Sequence, residues 1–168
     1  MTSLTTALRR SAALFTVLTL LVAVACQAQE IDEAHLIDLD AFPKAKLDIH
    51  TAKETHHFDI WIAETPRQQQ QGLMFVRDLS AARGMLFVAK EPRVFDMWMR
   101  NTYIPLDMVF IDGRGRIQQI VEQTTPHSLE IIRARDPALA VLEIAGGEAK
   151  KLGLHPGQRV IHSALQSH

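Results

Sequence analysis

The sequence predicts a mainly β (α+β) fold, a compact β-barrel or sandwich of about seven strands with two short helices. Three observations lead there. Apolar residues from Leu47 onward recur mostly with period two, the repeat of a strand with one buried face. Helix boundary residues bracket only two stretches, each a turn or two long. Asp112-Gly113-Arg114-Gly115 stands between two apolar runs as a hairpin turn signal.

In chain order, His57 to Ala63 puts Phe58, Ile60 and Ile62 on one strand face. Thr65 then caps a short helix with Pro66 at its first position, and Gly72 stops it. Gln68 to Gln71, the one low-complexity stretch, reads as the solvated face of that helix. Gly84 to Val88 is an apolar run suited to a strand buried on both faces. Val94 to Arg100 alternates, with Phe95, Met97 and Met99 sharing a face. Leu106 to Ile111 and Arg116 to Val121 flank the hairpin turn. Ala138 to Ile144 is a further strand, Gly147 to Leu152 a second short helix ended by Gly153, and Gln158 to Ala164 the closing strand.

The N-terminus reads as an address. Arg9 and Arg10 precede an apolar run from Ala12 to Ala25, too short for a stable membrane span of about 20 residues. A positive start, a short apolar stretch and the small residues Ala23-Val24-Ala25 describe an export signal over residues 1–25. Cys26 is the chain's one cysteine and follows at once, as the lipidated residue of a bacterial lipoprotein does. The expectation is a periplasmic protein held to the membrane through Cys26, with a plain cleaved signal as the alternative. Residues 26–46 then serve as a tether, and 47–168 as the folded domain.

Charge excludes one class of partner. Lys and Arg total 18 against 19 Asp and Glu, a formal net of −1. Removing residues 1–25 takes two Arg and no acid, so the remainder carries −3. Nucleic acid is not an expected partner, because neutralising phosphates needs a basic surplus. One cysteine also rules out a disulfide framework or a Cys-based zinc site.

The densest segment is Met97-Trp98-Met99-Arg100-Asn101-Thr102-Tyr103-Ile104-Pro105-Leu106-Asp107. Trp98, Arg100, Asn101, Thr102 and Asp107 would form a flat aromatic wall beside polar groups at a strand end. Such a wall suits a sugar, a peptide terminus or a small anion. An equally physical reading has Asp107 accepting hydrogen bonds from turn amides and locking the corner. Glu143 interrupts the apolar strand Ala140 to Ile144, and burying its charge is costly unless it is paired. Arg100 and Arg77 are the expected partners. Convergence of Asp107 and Glu143 would instead make an acid/base couple for glycan hydrolysis.

Met97 and Met99 offer a soft thioether pair for Cu(I), although methionines in apolar runs commonly fill core. The histidines follow no ligand spacing: the adjacent His56 and His57 point to opposite strand faces. Neither a Gly-x-Ser-x-Gly nucleophile turn, a phosphate-cradling loop nor a His-Glu-x-x-His motif is present in the sequence. No cofactor is expected.

Several blocks together resemble the DUF192 family of small, often exported bacterial proteins. They are Thr65-Pro66, Gly72-Leu73-Met74, Gly84-Met85-Leu86-Phe87, Trp98-Met99-Arg100-Asn101-Thr102, Ile104-Pro105-Leu106-Asp107, Val141-Leu142-Glu143, Gly146-Gly147, Leu152-Gly153-Leu154 and Gly157. The resemblance spans roughly residues 47–165. It implies a compact, mainly β fold and no particular activity. The sequence thus points to a non-catalytic binding or accessory module for a small polar ligand or an envelope partner. Ligand contacts are expected at Trp98, Arg100, Asn101, Thr102, Asp107 and Glu143. A glycan hydrolase using Asp107 and Glu143, and a Cu(I) carrier using Met97 and Met99, are the alternatives.

Overall fold

Seven strands realise the period-two pattern as one curled sheet, in a computed structural model that describes Ile31 and residues 33–165. The expected export signal, Cys26 and the start of the expected tether lie outside the described residues. In chain order come β1 (Lys44–His50), β2 (Thr55–Ala63), α1 (Pro66–Gln71), β3 (Arg83–Arg93), β4 (Asp96–Met97), β5 (Leu106–Ile111), β6 (Ile117–Val121), β7 (Ile132–Arg133), β8 (Ala138–Ala145), α2 (Glu148–Lys151) and β9 (Arg159–Ile161). The sheet order is β6-β5-β8-β3-β2-β1-β9, and β4 and β7 form a separate two-stranded ribbon. The mainly β expectation holds. Neighbours pair antiparallel except β2 with β3, which run parallel because α1 and the following turn carry the chain back to the same end.

The curl brings the two edge strands together. Arg116 bridges to Arg159 across the gap between β6 and β9. Ile117 N donates to Gln158 O at 2.9 Å, and Val160 N to Gly115 O at 2.8 Å. One apolar cluster draws on all seven strands, among them Leu47, Phe58, Leu86, Val109, Leu142 and Val160, and fills the inside of the curl. The second lies on the opposite face of the central strands, where Met85, Phe87, Met108 and Phe110 meet the covering loops through Leu73, Leu79 and Phe95. Hence every residue of β5 is buried.

Several elements differ from the sequence expectation. The strand expected over 94–100 shortens to Asp96–Met97, because its partner β7 offers only two residues. Of the expected loose tether, residues 33–42 make two 3-10 turns docked on the domain, and β1 already begins at Lys44. Phe42 is buried, Ile37 and Leu39 pack on the outer cluster, and Gln71 exchanges two 2.8 Å hydrogen bonds with the Ile37 backbone.

Candidate functional site

On the outer face of the sheet the covering loops leave a pocket of about 310 Å³. Its floor is Glu143 of β8, which register sets between Met85 of β3 and Met108 of β5, in the middle of the sheet. One wall is α1 and the turn after it, from Gln69 to Met74. The other is the ribbon segment with Asp96, Met97 and Trp98, followed by Arg100 and Thr102.

Local sequence fixes both walls. The Thr65 hydroxyl accepts from Gln68 N while the Gln68 side chain accepts from Thr65 N, a capping box that starts α1 with Pro66. Gln69 Nε2 ties the helix to both flanking strands, donating to Ala63 O at 3.1 Å and Val88 O at 3.0 Å. Gly72 ends α1 at φ +50°, where a Cβ would come within 3.0 Å of the Phe87 ring and 4.0 Å of Glu143 Oε2. A bare position there keeps space above the carboxyl. Phe75 N donates to Asn101 O at 2.8 Å, joining the two walls. Tyr103 is held beside them by Phe75 edge-on and by Arg77, 4.5 Å above its ring.

Glu143 is 4 % exposed, and among the described residues neither a hydrogen bond nor an ion pair reaches its carboxyl. Burial pushes its pKa up to about 8, so at neutral pH the group is mostly the neutral acid, both donor and acceptor. The expected ion pair with Arg100 or Arg77 does not form; Arg77 instead faces Glu33 at 4.0 Å. Asp96, on the same pocket, has the opposite character. Arg133 grips it with two bonds of 2.7 and 2.9 Å and holds its carboxyl below the usual range.

The pocket therefore brings together Trp98, Arg100, Thr102 and Glu143 and leaves out Asn101 and Asp107. Asn101, at φ +54°, shapes the turn and donates from Nδ2 to Ile31 O at 3.3 Å. Asp107 opposes Ile144, so it faces the inside of the curl, whereas Glu143 opposes Met108 and faces out. The expected Asp107–Glu143 couple is corrected on that ground, since residues on opposite sheet faces cannot act on one bond. Asp107 accepts from Gln123 N and Gly147 N through Oδ1, at 2.8 and 2.9 Å, and from Ala149 N through Oδ2 at 2.8 Å. The proposed thioether pair is corrected as well. Met99 is fully buried and its sulfur accepts from the Thr124 hydroxyl at 3.1 Å, while Met97 lines the pocket.

Sequence reasoning missed Asp96 and the Gln69–Met74 wall. The signal was present in the Gly72-Leu73-Met74 block, where a glycine precedes two residues with no strand period. Among the described residues no group of three or more His, Cys, Asp or Glu side chains could hold a metal ion.

Comparison with known proteins agrees with this geometry at the level of the fold. The DUF192 family model, described as an uncharacterized ACR, matches residues 48–162. A crystal structure from Sinorhizobium meliloti, provisionally described as a transcription regulator, is similar at 42 % identity and a TM-score of 0.71, covering 73 % of this chain and 96 % of that one. A Novosphingobium aromaticivorans protein of unknown function is similar at 34 % identity and a TM-score of 0.72, covering 76 % and 91 %. No curated protein matches the chain.

Proposed function

We propose that this chain, which belongs to the DUF192 family, is an exported, membrane-held envelope protein that binds a small neutral polar ligand in the pocket floored by Glu143. One observation carries the binding reading: the carboxyl of the buried residue Glu143 opens into a pocket with no hydrogen-bond or ion-pair partner among the described residues, beneath a rim formed by the half-exposed Trp98. A hydroxyl or amide of the ligand can both donate to and accept from the neutral acid, and an indole face suits the apolar side of a sugar ring. Asp96 on the same wall is paired with Arg133 and so adds no net charge to the pocket. Glu143 and Trp98 act by binding, and no step of chemistry is assigned to either.

Export rests on the sequence of residues 1–25, and attachment through Cys26 rests on that cysteine standing directly after Ala23-Val24-Ala25. The regulator description of the S. meliloti neighbour is not carried over, since a net charge of −1 gives no basic surplus for nucleic acid.

The test is thermal unfolding of the full chain against neutral mono- and oligosaccharides, N-acetylated sugars, short peptides and Cu(I). A ligand present at about 100 times its Kd stabilises by about 2.7 kcal/mol. The expected result is stabilisation by a neutral sugar that disappears in Trp98→Ala. A shift with Cu(I) alone, abolished in Met97→Leu, would move the reading to metal carriage. A flat panel at millimolar ligand rejects small-molecule binding.

A further inference from the structure

Exposed large apolar side chains are gathered at one place in this fold. Among the described residues they are Val94, Trp98, Leu129 and Ile131, at 46, 42, 68 and 51 % exposure, and all four flank the β4–β7 ribbon. Pairing of Asp96 with Arg133 and Met97 with Ile132 brings the adjoining residues Trp98 and Ile131 to the same end of the ribbon. Phe95 and Met99 are buried, so alternation turns Val94, Asp96 and Trp98 outward together. The charges at the centre of this face, Asp96 and Arg133, neutralise each other in a two-pronged ion pair. Single exposed apolar residues are ordinary on any protein, but a clustered set marks a contact surface.

We propose that this ribbon face seats on a lipid bilayer, with Trp98, Leu129 and Ile131 entering the headgroup layer. The proposal rests on the membrane-held reading given above. Its support is the point at which the chain enters the domain. Ile31 is held to Asn101, three residues from Trp98, and only residues 27–30 separate Ile31 from Cys26. Five Cα steps span at most about 17 Å. A chain attached at Cys26 therefore keeps Ile31 within that distance of the membrane, and with it the Asn101 turn that follows Trp98. Trp is favoured at the headgroup level, where its ring is half apolar and half polar, and a charge-neutral face avoids stripping water from an unpaired ion. Glu130, exposed between Leu129 and Ile131, would stay on the aqueous side. Because Trp98 also rims the pocket, the ligand would be met at the membrane surface.

The experiment uses the full-length protein, purified from membranes and returned to phosphatidylethanolamine/phosphatidylglycerol vesicles carrying lipid brominated near the headgroup. Flotation reads attachment, and bromine quenching of Trp fluorescence reads contact. The chain has two Trp, and Trp61 is buried in the core, so Trp98→Phe supplies the background signal. The expected result is a floating protein that loses most of its Trp98 emission, with quenching absent in Trp98→Phe and lost in Leu129→Ser/Ile131→Ser while flotation persists. Flotation with Trp98 unquenched overturns the docking and leaves attachment standing. A protein that does not float overturns attachment and the docking with it. Quenching that survives in the double serine variant overturns the ribbon as the seat.

Discussion

A single proton decides how Glu143 contributes to stability. Its pKa rises from 4.5 to about 8 on folding because burial penalises the charged form. Below about pH 4.5 both states hold the proton and the burial of this group costs no ionisation energy. Between there and pH 8 only the folded state holds it, so stability falls as pH rises, by up to about 1.4 kcal/mol per unit. Above pH 8 the cost is complete and the dependence flattens. Glu143→Gln removes this titration, and its stability relative to the wild type should climb across that window. Urea unfolding at about pH 5 and about pH 8 checks the sign, and an unchanged difference between variant and wild type would contradict it. Asp107 behaves differently, for its carboxylate joins three backbone donors from two distant segments. Asp107→Ala orphans all three, one of them on the fully buried Ala149, and should cost about 3 kcal/mol or more. The urea midpoint should drop with the slope unchanged. A ligand-contacting role would instead weaken binding and leave the midpoint in place.

At the scale of elements, α1 is short, and its end groups matter more than its length. Six residues cannot sustain a helix alone, so the Thr65–Gln68 capping box and the two bonds of Gln69 hold this wall of the pocket. Thr65→Ala should lower stability by about 1 kcal/mol, and Thr65→Ser should restore it; thermal unfolding of the two variants separates cap from packing. This element was legible because its boundary residues, Thr65, Pro66 and Gly72, each have one dominant physical use. The docked residues 33–42 were not legible. Two 3-10 turns carry no apolar period, and what holds them is long-range: Phe42 in the core and Gln71 bonded to the Ile37 backbone. Nor was the two-residue limit on β4, since alternation from Val94 to Arg100 reports a face and cannot report how short the partner is. The same limit separates Asp107 from Glu143. Each reads correctly as a polar residue in an apolar strand, yet only the pairing of Met108 with Glu143 reveals that they point to opposite sides.

At the scale of the whole molecule, the protection of the inner core depends on how far the sheet curls. An open sheet of seven strands would expose the edges of β6 and β9, whose amides would then exchange through local fraying. Here the hairpin turn between β5 and β6 reaches across to β9 instead. Asp112 Oδ1 accepts from Arg114 N and Arg116 N, each at 2.8 Å, which shapes the turn. Gly115, at φ +71°, lies so close to Val160 O that a Cβ would approach it to 3.1 Å. The turn thus delivers the Gly115 carbonyl to Val160 N, while Ile117 both donates to Gln158 O and accepts from Gly157 N at 2.8 Å. If this closure holds the inner core together, the amides of Ile117, Gly157 and Val160 should exchange only with global unfolding, as slowly as that of Val109 in the central strand β5. Native-state hydrogen exchange reads this directly. Faster exchange at those three positions, with Val109 still protected, would mean that the sheet opens at this seam while its centre stays folded.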